Sequence, residues 1–436
     1  MKKTINTQNL PPSNKETSHN ETFPHIQYKS ENEGNNQEKP SSMGNTSCGI
    51  KVFYIAPLRT SHNGIGHYTG RLIDELRSQD SQVKIVSSED LFPKNLKKRP
   101  EEEENRDFPS QWPSILLEAI DKNRPDLVHI QHGFYLGHGH KLAYFIRELH
   151  IRGIRCVITL HGIWAPNLFR RWPASLYRLL AEDVEHVIVH QREESFKYLQ
   201  EYGVPANRIA VIPHGTWTHE EITLSNIRDK IPIKNKRIVL FVGNIFRRKG
   251  LHVLLKAFPE VIRQVPDACL LVVGNERINN PIDRFYNSWL HSRMREGLKE
   301  GWLIRGAQYI PDEELWGWIT SADVVIFPYL RKFGAASGIF HRVLAAGLPA
   351  ICSNIPTFAE AIRAWGEKMP FLFPKPGDWK ALGNSIINIL SNEHFRKQAM
   401  EASKKLGCET SWPVVAKEHL LLYRSLLSTT PIKDEK

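Results

Sequence analysis

The chain has 436 residues, of which 41% are hydrophobic, 24% charged and 10% aromatic, and its net charge is +11. At roughly 100–200 residues per domain, that is material for two or three folded units with sizeable cores. No apolar run approaches the ~20 residues that span a bilayer. No apolar region follows the basic start MKKTINTQNL, and the five cysteines include no C-x-x-C pair. Neither a secretory signal nor a zinc site or disulfide scaffold is expected, and the reading is a soluble, cytoplasmic, multidomain protein.

Residues 1–49 hold five lysines and five glutamates, so the cationic excess sits on residues 50–436. An anionic partner follows: nucleic acid, a phosphorylated metabolite or an acidic lipid. RNP-type, C2H2 and basic-zipper signatures are missing, which ranks nucleic acid last. Residues 1–48, rich in Asn, Ser, Glu, Lys and Pro, show almost no aliphatic periodicity and read as a disordered tail.

From Ile50 onward, short β-branched runs alternate with longer amphipathic stretches. Strands are predicted at 51–56, 83–86, 127–131, 155–160, 186–190 and 209–212. The third of these is set up by the turn Arg124-Pro125-Asp126. The polar stretch 218–236 looks like a linker, and the same grammar resumes with strands at 237–242, 268–273, 302–305, 323–327 and 350–353. Helices between regularly spaced strands imply parallel sheets covered on both faces. The expected fold is therefore two doubly wound α/β domains in tandem. Ligands of such sheets collect beyond the carboxyl ends of the strands, in the cleft.

Three loop segments at those ends carry chemistry. Ser61–Gly70 (SHNGIGHYTG) places Gly64 and Gly66 where backbone N–H groups can approach a phosphate. Its third glycine, Gly70, is one residue late for a dinucleotide fingerprint, and a flexible loop before a helix explains the glycines equally well. In the second, Phe241–Gly250 (FVGNIFRRKG), the cations Arg247, Arg248 and Lys249 stand at a helix start, against the macrodipole. A diphosphate held by Lys249 with Arg248 or Arg247 would compensate; a solvated basic patch is the bland alternative. In the third, Ser337 and Gly338 open an apolar helix that Gly347 ends, an anion-accepting start unless the small residues merely allow close packing.

His161 follows a strand at its carboxyl end, where a structural and a functional role are both open. His129, His132, His138 and His140 cluster in sequence without a clear ligand geometry, and no metal is expected. The stretch 167–180 mixes arginines with Trp172, Tyr177 and leucines; an interfacial membrane contact and an ordinary surface helix are both open for it.

Taken together, these segments resemble the retaining glycosyltransferases of GT-B fold, family-four type, across residues 50–427. The resemblance rests on NGIGHYTGRLIDEL, PDLVHIQHG, VITLHGIW, RIAVIPHGTW, VLFVGNIFRRKGLHVLLKAF, IPDEELWGWITSADVVIFPY and SGIFHRVLAAGLPAICSNIPTFAEAI, in that order. It implies two Rossmann-like domains facing a cleft. Residues 49–216 would bind the acceptor, 217–408 the nucleotide sugar, and 409–436 would cross back to the first domain. The activity implied is transfer of a hexosyl-type sugar from a nucleotide-diphosphate sugar to an acceptor hydroxyl, with retention and without a metal or other cofactor. The acceptor would be a glycan, a lipid-linked or a small molecule, with the protein in the cytoplasm or peripheral at the inner face of the membrane.

Residue by residue, Lys249 matches the lysine that holds the donor diphosphate, and Gly64 and Gly66 match the glycine loop beside the phosphates. His161 matches a histidine near the transferred sugar, and Ser337, Gly338 and Ile339 the amides at the distal phosphate. Two departures stand out. Asn244 replaces a basic residue, a role open to Arg247 or Arg248. Gly334 and Arg342 stand where two glutamates usually contact sugar and ribose. The second departure motivates an alternative, a catalytically inactive GT-B-like binding subunit of a glycosylation complex. An epimerase acting on the donor alone is a further one.

Overall fold

An acidic residue just before a strand ties each sheet together. In a computed structural model of the chain, Asp126 accepts from the backbone N–H of Lys51 at 2.8 Å, joining two neighbouring strands at their first residues. Asp323 does the same for Ile238 at 2.7 Å, and Glu185 for Cys156 at 2.5 Å. The description covers residues 49–57, 64–91, 111–133, 140–163, 171–222, 227–230, 235–276, 278, 281–308, 310–330 and 335–428. The expected tail, 1–48, and Gly334 lie outside it.

Among these residues there are two parallel sheets. The first contains β1 (Lys51–Ile55), β2 (Lys84–Ser87), β3 (Leu127–His132), β4 (Arg155–Leu160), β5 (His186–Val189) and β6 (Ile209–Val211), in the order β2-β1-β3-β4-β5-β6. It is covered by α1 (Gly64–Gln79), α2 (Trp112–Asn123), α3 (His140–Ile151), α4 (Arg171–Asp183) and α5 (Glu193–Glu201). The second contains β7 (Arg237–Val242), β8 (Ala268–Val273), β9 (Leu303–Arg305), β10 (Val324–Phe327) and β11 (Ala350–Cys352), in the order β11-β10-β7-β8-β9. Its helices are α6 (Leu251–Gln264), α7 (Pro281–Glu300), α8 (Asp312–Thr320), α9 (Gly338–Ala345), α10 (Ala359–Trp365), α11 (Trp379–Ser391) and α12 (Glu393–Glu409). Every residue of β3 and β8 is buried; β8 (ACLLVV) is the continuous apolar run expected of a strand between two helical layers, whereas β3 (LVHIQH) also buries His129, Gln131 and His132.

The chain crosses between the sheets twice, and the two crossings are hydrogen-bonded to each other. Thr216 N–H donates to Thr410 O (2.8 Å) and Trp412 N–H to Thr216 O (2.9 Å). The final helix, α13 (Trp412–Ser428), then packs on α1 and β1 of the first sheet, burying Trp412 and Tyr423 completely. Gly215 is required at the crossing, because a Cβ there would lie 2.2 Å from the Trp412 ring.

The eleven predicted strands are all present, with ends shifted by a residue or so. The first helix differs more: it begins at Gly64, so that Gly64 and Gly66 form its first turn rather than a loop. Burial of Tyr68, Leu72 and Leu76 on one face against the first sheet outweighs the low helix propensity of the glycines. The stretch 167–180 is described from Arg171, where α4 begins. Its Leu176, Tyr177 and Leu180 are buried in the first core, as an ordinary covering helix would place them. No helix among the described residues is long and apolar enough to cross a membrane.

Candidate active site

At the carboxyl end of β7 the chain leaves through Gly243 and runs to α6 by way of a short turn, Arg247–Lys249. Leu330 N–H donates to Arg248 O at 2.8 Å, which clamps this loop to the one after β10. Gly250 closes the turn at φ +74°, and a Cβ on it would sit 1.8 Å from Pro328 O, so only glycine allows the two loops to meet. The result is a cavity lined by Arg248, Lys249, Tyr329, Ala335, Ala336, Ser337 and Thr357.

Lys249 is the centre of that cavity. Its Nζ lies 3.7 Å from the centroid of the Tyr329 ring, an attraction between ammonium and π face. Burial, with Arg248 beside it, pushes the Lys249 ammonium down to about 7. Tyr329 and Ser337 hydroxyls are 3.4 Å apart. Ser337 is the extended N-cap of α9 but does not cap it with its own side chain, so the first N–H groups of the helix keep their capacity for an anion. Ile339 faces the other loop: a Cβ on Gly243 would be 4.0 Å from its Cγ1. Asn244, Arg247 and Arg248 are exposed along the same rim, Arg248 over the Phe246 ring at 4.4 Å.

Arg248, Lys249 and Ser337 are thus brought together, with Gly338 and Ile339 next along α9. Gly64 and Gly66 are not part of the cavity lining. They form the first turn of α1, and the Tyr68 of that helix packs on His161 (4.8 Å) and His214 (5.1 Å). Arg342 is buried between Trp217 (4.2 Å) and Trp316 (5.0 Å), its guanidinium held against two indoles.

The first domain contributes a row of histidines. β3, β4, β5 and β6 are neighbours, and each ends at or just before one: His132, His161, His190 and His214. A Cβ on Gly338 would lie 3.5 Å from His214 Nε2, so the start of α9 abuts this row. His214 stacks on His341 of α9 (4.7 Å), and His341 Nδ1 meets Thr216 Oγ1 at 2.8 Å. Burial holds His161 and His341 well below the ordinary histidine range and takes His190 to about 4 and His214 to about 3. These rings are neutral at physiological pH. His129 and His132 are described and buried, and among the described residues no group of three or more His, Cys, Asp or Glu side chains could hold a metal ion.

Sequence reasoning missed Tyr329, His190, His214 and His341. Three of them had a signal. An apolar run ending in histidine recurs at HVIVH190 and AVIPH214, as it does at VITLH161. Tyr329 likewise follows the run DVVIF by two residues. His341 lies inside a helix, and nothing local marks it.

Residues 62–219 match the family model described as Glycosyltransferase Family 4, and residues 225–406 the one described as Glycosyl transferases group 1. The chain is 26% identical over 212 residues to spore coat protein SA of Bacillus subtilis, covering 48% of this chain and 55% of that protein. It is 30% identical over 196 residues to phosphatidyl-myo-inositol mannosyltransferase of Mycobacterium leprae, covering 44% and 48%. The chain thus spans about half the length of these curated relatives. Among solved structures it resembles HepE of Anabaena in complex with UDP, with TM-score 0.67, 14% identity, and coverage of 86% of this chain and 100% of that one. That likeness establishes the two-sheet GT-B fold.

Proposed function

We propose that this chain, which belongs to the group 1 glycosyltransferases of GT-B type, moves a hexosyl group from a nucleotide-diphosphate sugar to an acceptor hydroxyl. The observation that carries the reading is the convergence of Lys249, Arg248 and the start of α9 on one cavity at the carboxyl ends of β7 and β10. An ammonium, a guanidinium and a helix N-terminus around one space make a site for a diphosphate.

The chemistry follows from that charge. As the bond from sugar to phosphate breaks, negative charge accumulates on the departing nucleotide diphosphate. Lys249, Arg248 and the amides of Ser337, Gly338 and Ile339 stabilise it, with Arg247 and Asn244 along the rim. The acceptor hydroxyl attacks from the face the leaving group vacates, giving retention without an enzyme nucleophile. These cations supply the charge that a divalent metal supplies elsewhere. Gly64 and Gly66 bring α1 up to the phosphates, and His161 stands beside the transferred sugar. HepE has been solved with UDP and with UDP-glucose, which makes uridine nucleotides the first donors to try. Product formation with and without a chelator, and the anomeric configuration of the product by NMR, test the reaction; an inverted product or dependence on added metal would contradict it.

The resting state of Lys249 makes binding proton-linked. Its folded-state value near 7 means that above this pH a sugar nucleotide must recruit a proton to gain the ion pair. Calorimetry in buffers of differing ionisation enthalpy is expected to show uptake of about one proton per nucleotide sugar near pH ~8 and almost none near pH ~6. Equal uptake at both would refute the assignment.

Of the acceptor classes, a lipid-linked one is favoured by the surface of α7. Ile282, Phe285 and Trp289 are 71%, 76% and 38% exposed and recur at the spacing of one helical face, and Ile278, ahead of the helix, is 53% exposed. Arg284, Arg293 and Arg295 are exposed on the same helix, Arg293 against Trp289. Apolar anchors beside cations suit an anionic bilayer surface. Co-sedimentation with phosphatidylglycerol vesicles is expected to fall about tenfold or more in Ile282→Ser/Phe285→Ser, given ~1.5–3 kcal/mol per buried side chain. Failure of the parent protein to sediment would remove the lipid surface from the account.

A further inference from the structure

The cleft histidine His161 sits in the middle of an unbroken hydrogen-bond chain that starts at a backbone carbonyl. His190 Nδ1 is 3.0 Å from Ile212 O, and His190 Nε2 is 3.2 Å from His161 Nδ1. His161 Nε2 is 2.7 Å from the Gln131 amide atom placed as Oε1, and the atom placed as Nε2 is 3.2 Å from His129 Nε2; the ring tautomers require these two ends to be exchanged. His129 Nε2 is also 2.8 Å from Thr159 Oγ1, and His129 Nδ1 is 2.6 Å from the Tyr423 hydroxyl of α13, which in turn bonds to Tyr54.

A carbonyl can only accept, and this fixes every later bond. His190 must carry its proton on Nδ1 to reach Ile212 O. The ring is buried and neutral, so its Nε2 is bare and accepts from His161 Nδ1–H. His161 Nε2 is then bare and needs a donor, and among the described residues the NH2 end of Gln131 supplies it. The opposite amide orientation would require a charged imidazolium at His190; the two ends of an amide have the same shape, and the network decides between them. The Gln131 carbonyl accordingly accepts from His129 Nε2–H, Tyr423 donates to His129 Nδ1, and Tyr54 donates to Tyr423.

We propose that the Ile212 carbonyl and the Gln131 amide lock His161 as its Nδ1–H tautomer with both ring nitrogens engaged, making Gln131 a positioning residue for the cleft. His161 is then a fixed wall beside the sugar, clamped by the edge of Tyr68, and exchanges no proton during transfer. Only that last consequence rests on the proposed function; the lock itself is a property of the resting protein.

The test is a long-range 15N–1H correlation spectrum of the full chain with 15N-labelled histidine, the His161 signals being identified by their loss in His161→Asn. Nδ1 of His161 is expected to be the protonated-type nitrogen and Nε2 the bare type. The reverse pattern overturns the proposal. In Gln131→Glu a carboxylate, which only accepts, replaces the donor while the His190 side is unchanged, so His161 is expected to take a second proton and both its nitrogens to become the protonated type, with loss of turnover at unchanged donor KM. A His161 pattern unchanged from the parent in a folded Gln131→Glu removes Gln131 from its role, and the parent spectrum decides the lock if that variant does not fold. An Nδ1–H spectrum from a protein that transfers no sugar would strike the proposed function and leave the lock standing.

Discussion

Lys249→Ala is expected to lower turnover by about 10²–10³-fold, the loss that follows removal of one preorganised charge-stabilising group. The side chain is the cation most enclosed by the cavity, lying over Tyr329 with Ser337 and Thr357 on the same wall. Among the described residues, Arg248 also lines the cavity but is exposed, as Arg247 is, so neither is enclosed as Lys249 is. Lys249→Met keeps the aliphatic stem against the Tyr329 ring and removes only the charge, so it should fall by a similar factor while melting like the parent. If Lys249→Met retained most of its activity, the ammonium would be a packing element and the diphosphate would lie elsewhere.

Trp412→Ala is the second large effect, this time on stability. Trp412 is fully buried where the two chain crossings meet, with Tyr68, His214 and Trp217 at 5.1, 5.8 and 5.9 Å. Deleting the indole leaves a cavity between the last helix and the first domain, at a cost of about 3–5 kcal/mol. The melting temperature should drop by about 4–6 °C. The same residue braces Gly215 and, through Tyr68 and His214, the histidine row, so the variant should also bind nucleotide sugar less tightly at temperatures where it remains folded. A melting point within a degree or two of the parent would show that α13 is held by its other contacts, Tyr423 with Tyr54 and His129.

What was legible in the sequence and what was not divide by distance along the chain. A strand buried on both faces is mostly apolar, and IVLFV or ACLLVV announces that within five or six residues. The loops that line the cavity were legible for the same local reason: three cations followed by Gly250, and small residues before an apolar helix, mark their own positions. The start of α1 was not, because two glycines argue against a helix while the burial of Tyr68 that outweighs them comes from elements far along the chain. The chain from Tyr423 to His129 spans 294 residues, and Thr216 to His341 spans 125. No local pattern encodes such pairs. Arg342 shows the limit most clearly: its neighbours Trp217 and Trp316 come from the crossing and from α8, so its sequence context revealed only that a carboxylate was missing.

The central claim is that a nucleotide-diphosphate sugar binds at Lys249 and the start of α9. Thermal unfolding of the purified chain against UDP-, GDP-, ADP-, TDP- and CMP-sugars, in parallel with Lys249→Met, tests it most directly, since a ligand that binds only the folded state raises its stability. The account predicts a rise in melting temperature with one nucleotide-diphosphate class, absent in the variant. No rise with any of them in a well-folded protein, or an equal rise in Lys249→Met, would contradict it.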